Sequence, residues 1–348
     1  MQCGIRPCAR ILRVHWQPFL TRRSPRRSVS NGWRLQHRKP PKTTPYRSTR
    51  YIIDSMRHRD KYLAVVTFLG PAVILYAVFF VVPMAQAFYY SLFRWRGLSQ
   101  NKEFVGFENF RQLAGDPIFY MALKHNLAFL VASLVIVIPL ALFFAYVLSR
   151  KVWGAGVYRA VFLFPNIISI VAVAVLWSFV YNPQFGLINT FLRTIGLEKL
   201  TTGWLGEPAT ALPAVIATSI WYSLGFYIVL FLAGMQSIPP SFYEAASIDG
   251  ASKWQSFRHV TIPLVWEILK LGVIYLVIHT MNVFGLVWVM TEGGPSYHTE
   301  TMLTYLYRKA FAQSQYGYGT ALGVVVFLLI LGIVLISIRA MKREVVEY

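Results

Sequence analysis

The stretch SFYEAASIDGASKWQSFRHVTIP (Ser241–Pro263) lies between two long apolar runs of a 348-residue chain. It contains two acidic residues, Glu244 and Asp249, whereas the runs on either side, 208–243 and 271–291, contain no Asp, Glu, Lys or Arg. Each run is longer than the roughly 20 residues that a helix needs to cross the core of a bilayer. The polar stretch is therefore predicted to join two transmembrane helices.

Apolar runs of this kind recur along the chain. Only 14% of the residues are charged, whereas soluble globular domains carry about 25%. The runs lack the alternation of apolar and polar residues that is typical of a membrane β-barrel. The sequence predicts an all-α, polytopic membrane protein with six transmembrane helices. The uncharged runs that support this prediction are 62–93, 125–149, 160–192, 208–243, 271–291 and 310–338.

The distribution of basic residues indicates the orientation of these helices. Lys and Arg favour short cytoplasmic loops, and here they flank the first run, separate the second from the third, and occur in the polar stretch and the C-terminal tail. The loops expected outside are roughly 84–124, 182–208 and 291–317. The first of these is also basic, but long loops are translocated with less regard to charge. We expect both the N- and the C-terminus to be cytoplasmic.

Residues 1–55 differ in composition from the rest of the chain. Thirteen of the 34 Lys and Arg lie within residues 1–50, which contain no acid and include both cysteines. Three interpretations fit this leader: translated sequence upstream of a true start at Met56, a disordered basic arm on anionic lipid, or a targeting peptide. The first is preferred because a short basic flank and then a span follow Met56. We expect the transmembrane domain to occupy 56–348.

The sequence carries no recognisable motif that would supply energy for transport. It lacks the G-x-x-x-x-G-K-[ST] phosphate loop and the H-E-x-x-H and cysteine spacings of metal sites. The six runs lack the Asp or Glu that ion-coupled carriers place inside the membrane. No paired catalytic groups indicate an enzyme, and no feature indicates nucleic acid as a partner. We therefore expect a membrane translocation subunit that draws its energy from another protein.

The polar stretch has the local signals of two short helices. Ser241 and Glu244 form a capping-box pattern that predicts a helix over 242–248. Gly250 permits a sharp turn, and a second helix is predicted over 252–259. Helices of two turns are marginal alone in water, so this helical shelf needs a partner surface.

The shelf resembles the EAA loop of binding-protein-dependent ABC importer permeases, commonly written EAA-x-x-x-G-x9-I-x-L-P. This chain has EAA at 244–246, Gly250 and, nine residues later, VTIP at 260–263, with Val and Ile in place of Ile and Leu. Over about 60–345 the chain resembles carbohydrate permeases of the maltose-transporter type, and in particular the MalF-like member of each permease pair. This implies the type I ABC importer permease fold. Further matching segments are FVGFENF, YRAVFLFPNIIS, NPQFGLINTFL, TEGGPSYHTETMLTYLYRKAF and YGYGTALG.

The resemblance implies how the subunit is driven. In that family the EAA loop docks into a groove of a cytoplasmic ATPase subunit, and here the coupling loop would be 237–263. The conserved glutamate maps to Glu244, for which a plain helix cap is the alternative, and Asp249 fits a solvated turn equally well. The full set of positions assigned to coupling is Glu244, Ala245, Ala246, Asp249, Gly250 and Pro263.

The resemblance also implies partners and location. The partners are a second permease, two ATPase subunits, an extracytoplasmic solute-binding protein and membrane lipid. ATP and Mg²⁺ would lie on the ATPase subunits, so no cofactor is expected on this chain. The location would be a prokaryotic inner or plasma membrane.

A solute pathway in the third, fourth and fifth spans follows from the same resemblance. Amide and hydroxyl groups beside aromatic rings suit a sugar, which presents hydroxyls and apolar ring faces. For each residue singly, packing between helices or a bond to its own helix carbonyl is an equally good explanation. Mapping by motif gives Asn166, Ser169, Trp221, Tyr222, Ser223, Thr280 and Asn282.

Charge restricts the expected solute. A phosphorylated solute would meet no Lys or Arg within the runs to compensate its charge, so we expect a neutral sugar or oligosaccharide. One alternative is a polyol or glycerol-3-phosphate carried by the same machinery, because helix N-termini can also hold anions. Another is a stand-alone carrier, which would not need a docking shelf.

Overall fold

The computed structural model of the chain describes residues 58–97, 101–150 and 153–342. Helices dominate these residues, and the predicted all-α class is confirmed. Two-residue strands, β1 (Phe93–Arg94) and β2 (Glu103–Phe104), pair antiparallel. The helices are α1 (His58–Tyr76), α2 (Val82–Tyr90), α3 (Glu108–Ala114), α4 (Pro117–Ser149), α5 (Ala155–Ile167), α6 (Ile170–Val180), α7 (Leu187–Thr194), α8 (Pro208–Gln236), α9 (Pro240–Ile248), α10 (Lys253–Ser256), α11 (Ile262–Leu264), α12 (Trp266–Met281), α13 (Gly285–Thr291), α14 (Met302–Tyr307) and α15 (Tyr316–Ala340). Three π-helical segments (Ala77–Val81, Phe257–Thr261 and Arg308–Ala312) and one 3₁₀ turn (Glu198–Leu200) complete them.

The described residues fall into two units, with the division between Val66 and Thr67. The interactions described below all lie within the second unit. The predicted leader, 1–55, and the start proposed at Met56 lie outside the described residues.

Six apolar segments correspond to the six predicted spans. Five are helical segments long and apolar enough to cross a membrane, and the other, third in chain order, is a pair of helices that meet at 96°. The prediction of six membrane spans is therefore confirmed, with one of them bent. In chain order the first to sixth spans are Val65–Tyr90, Pro117–Ser149, Ala155–Ile167 with Ile170–Val180, Pro208–Gln236, Trp266–Thr291 and Tyr316–Ala340.

The bend in the third span occurs where helix propensity is low. Ile168 and Ser169 have extended backbone angles, with ψ near 145° and 135°. Serine competes for the backbone hydrogen bonds of a helix, which disfavours continuing α5 through Ser169. Helix α5 therefore ends at Ile167, and α6 starts in a new direction at Ile170.

The fifth span is interrupted between Met281 and Gly285. Two carbonyls at the end of α12, those of Thr280 and Met281, accept hydrogen bonds from the side-chain amide of Asn126 at 3.3 and 3.1 Å. The Asn126 oxygen in turn accepts from the backbone N–H of Met302 at 2.9 Å. Asn126 is fully buried. It satisfies backbone groups that lipid could not, which is the condition for an irregular backbone at membrane depth.

Charged residues reach further into the spans than the sequence predicts. The membrane helices extend beyond the uncharged runs, so that Lys124 lies in the second span and Glu267 in the fifth. Glu267 pairs with Lys270 at 2.6 Å, and Arg339 lies in the last turn of the sixth span. The prediction that every span lacks charge is therefore wrong for the helix ends. It holds for the segments between them, where the uncharged runs lie.

The segment between the fifth and sixth spans is anchored by a buried ion pair. An oxygen of the fully buried Glu300 carboxylate lies 3.1 Å from the guanidinium of Arg308, which also donates to the Glu292 carbonyl at 2.5 Å. Burial raises the pKa of Glu300, and the hydrogen bond and charge of Arg308 oppose that rise. A Cβ at Gly293 would overlap with this carboxylate, so the loop depends on glycine at that position.

The third and fourth spans pack at Gly225. A Cβ at this position would overlap with the backbone carbonyl of Phe162 in α5. Backbone cannot move aside as a flexible side chain can, so the close approach of α5 to α8 requires glycine here.

We predict that Gly225→Ala destabilises the protein by about 1–3 kcal/mol, the usual range for overpacking. The matched control is Gly332→Ala in the sixth span, because nothing lies within 4 Å of a Cβ there. Thermal unfolding of both variants in the same detergent tests this. Equal melting temperatures for the two variants would contradict the packing described here.

Candidate functional site

Residues 240–264 form the predicted helical shelf between the fourth and fifth spans. Helix α9 runs from Pro240 to Ile248, and Gly250 follows with φ +74°, a left-handed conformation that favours glycine. Helix α10 begins at Lys253, and the π-helical segment and α11 continue it to Leu264. We call residues 240–264 the coupling shelf.

The predicted capping box of the first shelf helix is wrong. Helix α9 starts one residue before Ser241, with Pro240 in its first turn and Pro239 at the N-cap, and no side chain caps it. Proline suits the first turn of a helix because its missing N–H would be unpaired there anyway. Ser241 therefore already lies inside the helix, and Glu244 does not serve as its capping partner.

A capping box is instead present at the second shelf helix. The Ser252 hydroxyl accepts from the Gln255 N–H at 3.3 Å, and the Gln255 side chain accepts from the Ser252 N–H at 2.7 Å. The predicted helix over 252–259 thus has Ser252 as its cap. It extends further than predicted, through the π-helical segment Phe257–Thr261.

The shelf is attached to the cytoplasmic end predicted for the second span. Tyr146 donates its hydroxyl to the Lys253 carbonyl at 2.7 Å, and its ring lies 4.6 Å from that of Phe257. Within the shelf, the hydroxyls of Tyr243 and Thr261 are 3.1 Å apart and join the first helix to the π-helical segment. These contacts fix one face of the shelf against the spans.

Much of the shelf is nevertheless exposed. Among the predicted coupling residues, Glu244, Ala245, Asp249 and Gly250 are exposed, and Ala246 and Pro263 are half-buried. Two large apolar side chains of the shelf are also exposed, Ile248 at 87% and Trp254 at 65%. A groove of about 610 Å³ lies between the shelf and the ends of the second and fourth spans, and Glu244 contributes to its lining. Apolar exposure of this kind marks an interaction surface.

Two adjoining cavities lie between the third, fourth and fifth spans, with volumes of about 510 and 290 Å³. Tyr222, Tyr275 and His279 line both, and we call the two together the solute cavity. It lies at the two helix interruptions, since Ile170 at the start of α6 and Gly285 at the start of α13 both contribute to it. The larger part is further lined by Ser219, Ile278, Asn282, Val283, Phe284 and Leu286, and the smaller by Asn166, Ser223, Phe226 and Tyr227.

Four of the seven predicted pathway residues line this cavity: Asn166, Tyr222, Ser223 and Asn282. The Asn282 amide donates to the Ile278 carbonyl of its own helix at 2.8 Å, which leaves its carbonyl oxygen for another partner. Ser223 is buried, and its hydroxyl bonds weakly to the Ile220 carbonyl at 3.4 Å.

The other three predicted pathway residues do not line the solute cavity. Thr280 is buried and donates its hydroxyl to the Leu276 carbonyl at 2.8 Å. Trp221 packs edge-on against Trp177, with ring centroids 5.4 Å apart. Ser169 is exposed at the start of α6, and its side chain makes no capping bond.

Several aromatic residues of the cavity were not predicted from the sequence. Tyr275, Phe226 and Tyr227 contribute rings, and the hydroxyl of the buried Tyr227 has no hydrogen-bond partner among the described residues. Positions 275, 278, 279 and 282 all line the cavity and share one helical face. Extending the pattern from Asn282 back along that face would have found Tyr275.

The model of the family described as "Binding-protein-dependent transport system inner membrane component" matches residues 114–343. The chain belongs to this family. The match covers the second to sixth spans, including the coupling shelf and the solute cavity. A multi-pass inner-membrane component is thereby confirmed, as are the type I permease architecture and the resemblance stated above.

Relatives of this family member include the probable ABC transporter permease protein YurN of Bacillus subtilis, which is 37% identical over 79% of this chain and 94% of the relative. The diacetylchitobiose uptake system permease protein NgcF of Streptomyces coelicolor is 37% identical over 76% of this chain and 78% of the relative. Among solved structures, a bacterial alginate ABC transporter in complex with an alginate pentasaccharide-bound periplasmic protein aligns with a TM-score of 0.71. It is 26% identical and covers 82% of this chain and 97% of that one.

We predict that Ser252→Ala loosens the second shelf helix by about 1 kcal/mol, the usual cost of losing an N-cap. Hydrogen exchange at amides 253–257 of the detergent-solubilised protein should accelerate about fivefold. Ser241→Ala is the matched control, because Ser241 caps no helix. If the two variants exchange alike, the assignment of the cap to Ser252 is incorrect.

Proposed function

We propose that this chain is the membrane permease subunit of an ATP-driven importer for a sugar or oligosaccharide. The observation that supports this most is the solute cavity, where aromatic rings and uncharged polar groups meet at two helix interruptions. Tyr222 and Tyr275 offer ring faces to an apolar sugar face, and Asn166, Asn282 and Tyr227 offer hydrogen bonds to its hydroxyls.

A neutral sugar suits this cavity best. Lys, Arg, Asp and Glu are absent from the described residues that line it, so an ionised solute would lose its hydration without gaining a counter-charge. Relatives handle different saccharides: one is named for diacetylchitobiose, and a structural neighbour transports the acidic polysaccharide alginate. These names support a carbohydrate as the solute, and the uncharged lining favours a neutral one here.

Energy would enter through the coupling shelf. We assign ATP hydrolysis, with its Mg²⁺, to two separate ATPase subunits, which leaves this chain without a cofactor or enzymatic role of its own. The exposed part of the shelf, with Glu244 beside a groove, provides a surface on which such a subunit could dock. Ala245, Ala246, Asp249, Gly250 and Pro263 would shape that surface.

The remaining partners follow from the exposed surfaces and the family. Side chains along residues 67–86 are exposed or half-exposed although strongly apolar. A span that buries so little of its surface within its own chain needs lipid or another membrane subunit around it, which supports a second permease. An extracytoplasmic solute-binding protein would deliver the sugar, in keeping with the description of the family.

We predict that Glu244→Lys uncouples ATP hydrolysis from uptake, because it reverses a charge at the docking groove. In proteoliposomes that contain the complete importer, uptake should fall at least about tenfold, with unchanged amounts of the permease in the membrane. Glu198→Lys is the matched control, since Glu198 is also exposed but lies in the loop between the third and fourth spans. Normal coupled uptake by Glu244→Lys would count against docking at this residue.

We predict that Asn282→Ala raises the KM for the transported sugar about three- to tenfold, the range expected for one lost hydrogen bond. Uptake measured over a range of sugar concentrations gives this value. Thr194→Ala serves as the control, because Thr194 bonds only within the exposed helix α7. An unchanged KM and solute selectivity in Asn282→Ala would remove this residue from the pathway.

A further inference from the structure

A second large cavity lies at the opposite end of the spans from the coupling shelf. The shelf joins the end of the fourth span to the start of the fifth. The residues that line this cavity belong to the loop between the first and second spans and to the segment at the start of the sixth span, which lie at the other end. Its volume is about 750 Å³, within the range of small-ligand sites. We call it the outer cavity. Its lining includes Arg94, Trp95, Arg96, Gln112, Gln313 and Gln315.

The walls of the outer cavity are held in place by backbone contacts. The side-chain amide of the buried Asn109 donates to the carbonyls of Ser91 and Phe93 at 2.8 and 3.0 Å. The N–H of Gly317 donates to the Trp95 carbonyl at 3.1 Å, and a Cβ at Gly317 would overlap with the Phe93 carbonyl. The loop after the first span is thus fixed directly to the start of the sixth, and the cavity is preformed.

The lining combines one indole with donors and acceptors that suit hydroxyl groups. Trp95 is held by the ammonium group of Lys102, which lies 4.6 Å from its ring centroid. Three glutamines and Arg96 add amide and guanidinium groups, while Arg94 is paired with Glu103 at 3.1 Å. An aromatic wall beside several amides fits the apolar face and the hydroxyls of a sugar ring.

A continuous series of aromatic rings joins the outer cavity to the solute cavity. Each ring lies 4.7 to 5.8 Å from the next, measured between centroids. Tyr307 and Phe311 are 37% and 54% exposed, so other described residues of this chain do not cover the middle of the series. We call this series the aromatic path. In order, its members are Trp95, Tyr316, Phe311, Tyr307, Trp288 and Phe284, the last of which lines the solute cavity.

We propose that the outer cavity is a second carbohydrate subsite, which holds the trailing units of an oligosaccharide while its leading units occupy the solute cavity. The intermediate sugar units, which lie between the two cavities, stack on successive rings of the aromatic path. This inference rests on the proposed function, because it presupposes that the solute is a sugar. A disaccharide is bound by the solute cavity alone, so the outer subsite affects only longer chains.

The test compares uptake of a disaccharide and a pentasaccharide of the same sugar by the complete importer in proteoliposomes. The probes are maltose with maltopentaose and chitobiose with chitopentaose. Trp95→Ala should lower pentasaccharide uptake about five- to tenfold at low concentration and leave disaccharide uptake within about twofold of the parent chain. Trp153→Ala is the matched control, since Trp153 is 94% exposed and lies between the second and third spans.

Two further variants separate loss of the subsite from misfolding. Gln313 is exposed, so Gln313→Ala should reduce the ratio of pentasaccharide to disaccharide uptake without affecting membrane content. Tyr307→Ala should do the same by interrupting the aromatic path. An unchanged ratio in all three variants, with both sugars still imported, overturns the outer subsite alone.

Two other outcomes have different meanings. If the parent importer takes up none of these four sugars and no other mono- or oligosaccharide from a broader panel, the proposed function itself is overturned. If Trp95→Ala weakens binding of the solute-binding protein and lowers uptake of both sugar lengths equally, the outer cavity is a protein-docking surface and the subsite is overturned.

Discussion

Backbone groups that leave a helix inside a membrane need hydrogen-bond partners from the protein, because lipid provides none. At the break in the fifth span these partners come from Asn126, whose amide spans the two carbonyls at the end of α12. The Val283 carbonyl, two residues after Met281, accepts from the Thr301 hydroxyl at 3.1 Å. The solute cavity can exist at this depth only because those groups are satisfied. The irregular backbone at this break leaves space between helices that would otherwise pack together.

The two helix interruptions meet each other. A Cβ at Gly285 would lie 3.4 Å from the Ile170 side chain, so the start of α13 packs against the start of α6. At these two breaks, in the third and fifth spans, the backbone departs from regular helix. Side chains from the fourth and fifth spans fill only part of the space there. The result is a cavity lined by five Tyr and Phe rings, four Asn and Ser side chains and His279, with Asp, Glu, Lys and Arg absent from the described residues of its lining. That composition follows from the membrane setting, because ionised groups would be costly there.

Sequence reasoning succeeded where one strong physical term decides the outcome. The cost of exposing polar residues to lipid sets the spans, and six were predicted and found. It failed where competing local preferences are close in energy. Pro240 moves the start of α9, so the predicted cap at Ser241 is absent, while the Ser252 cap formed. Thr280 was assigned to the pathway by offset from a motif, but its hydroxyl bonds within its own helix. The break at Asn282 determines which face of α12 lines the cavity. The helix propensities of single residues do not reveal that break.

The second span contacts both the coupling shelf and the break in the fifth span. Near its end Tyr146 holds the coupling shelf through the Lys253 carbonyl, and Asn126 holds the break in the fifth span. These positions are 20 residues apart on one helix, which corresponds to about 30 Å at 1.5 Å per residue. The shelf is also joined covalently to the fourth and fifth spans. A force applied to the shelf therefore acts on the same helix that keeps the cavity open, and Pro139 lies between the two positions, at a point where that helix lacks one backbone hydrogen bond.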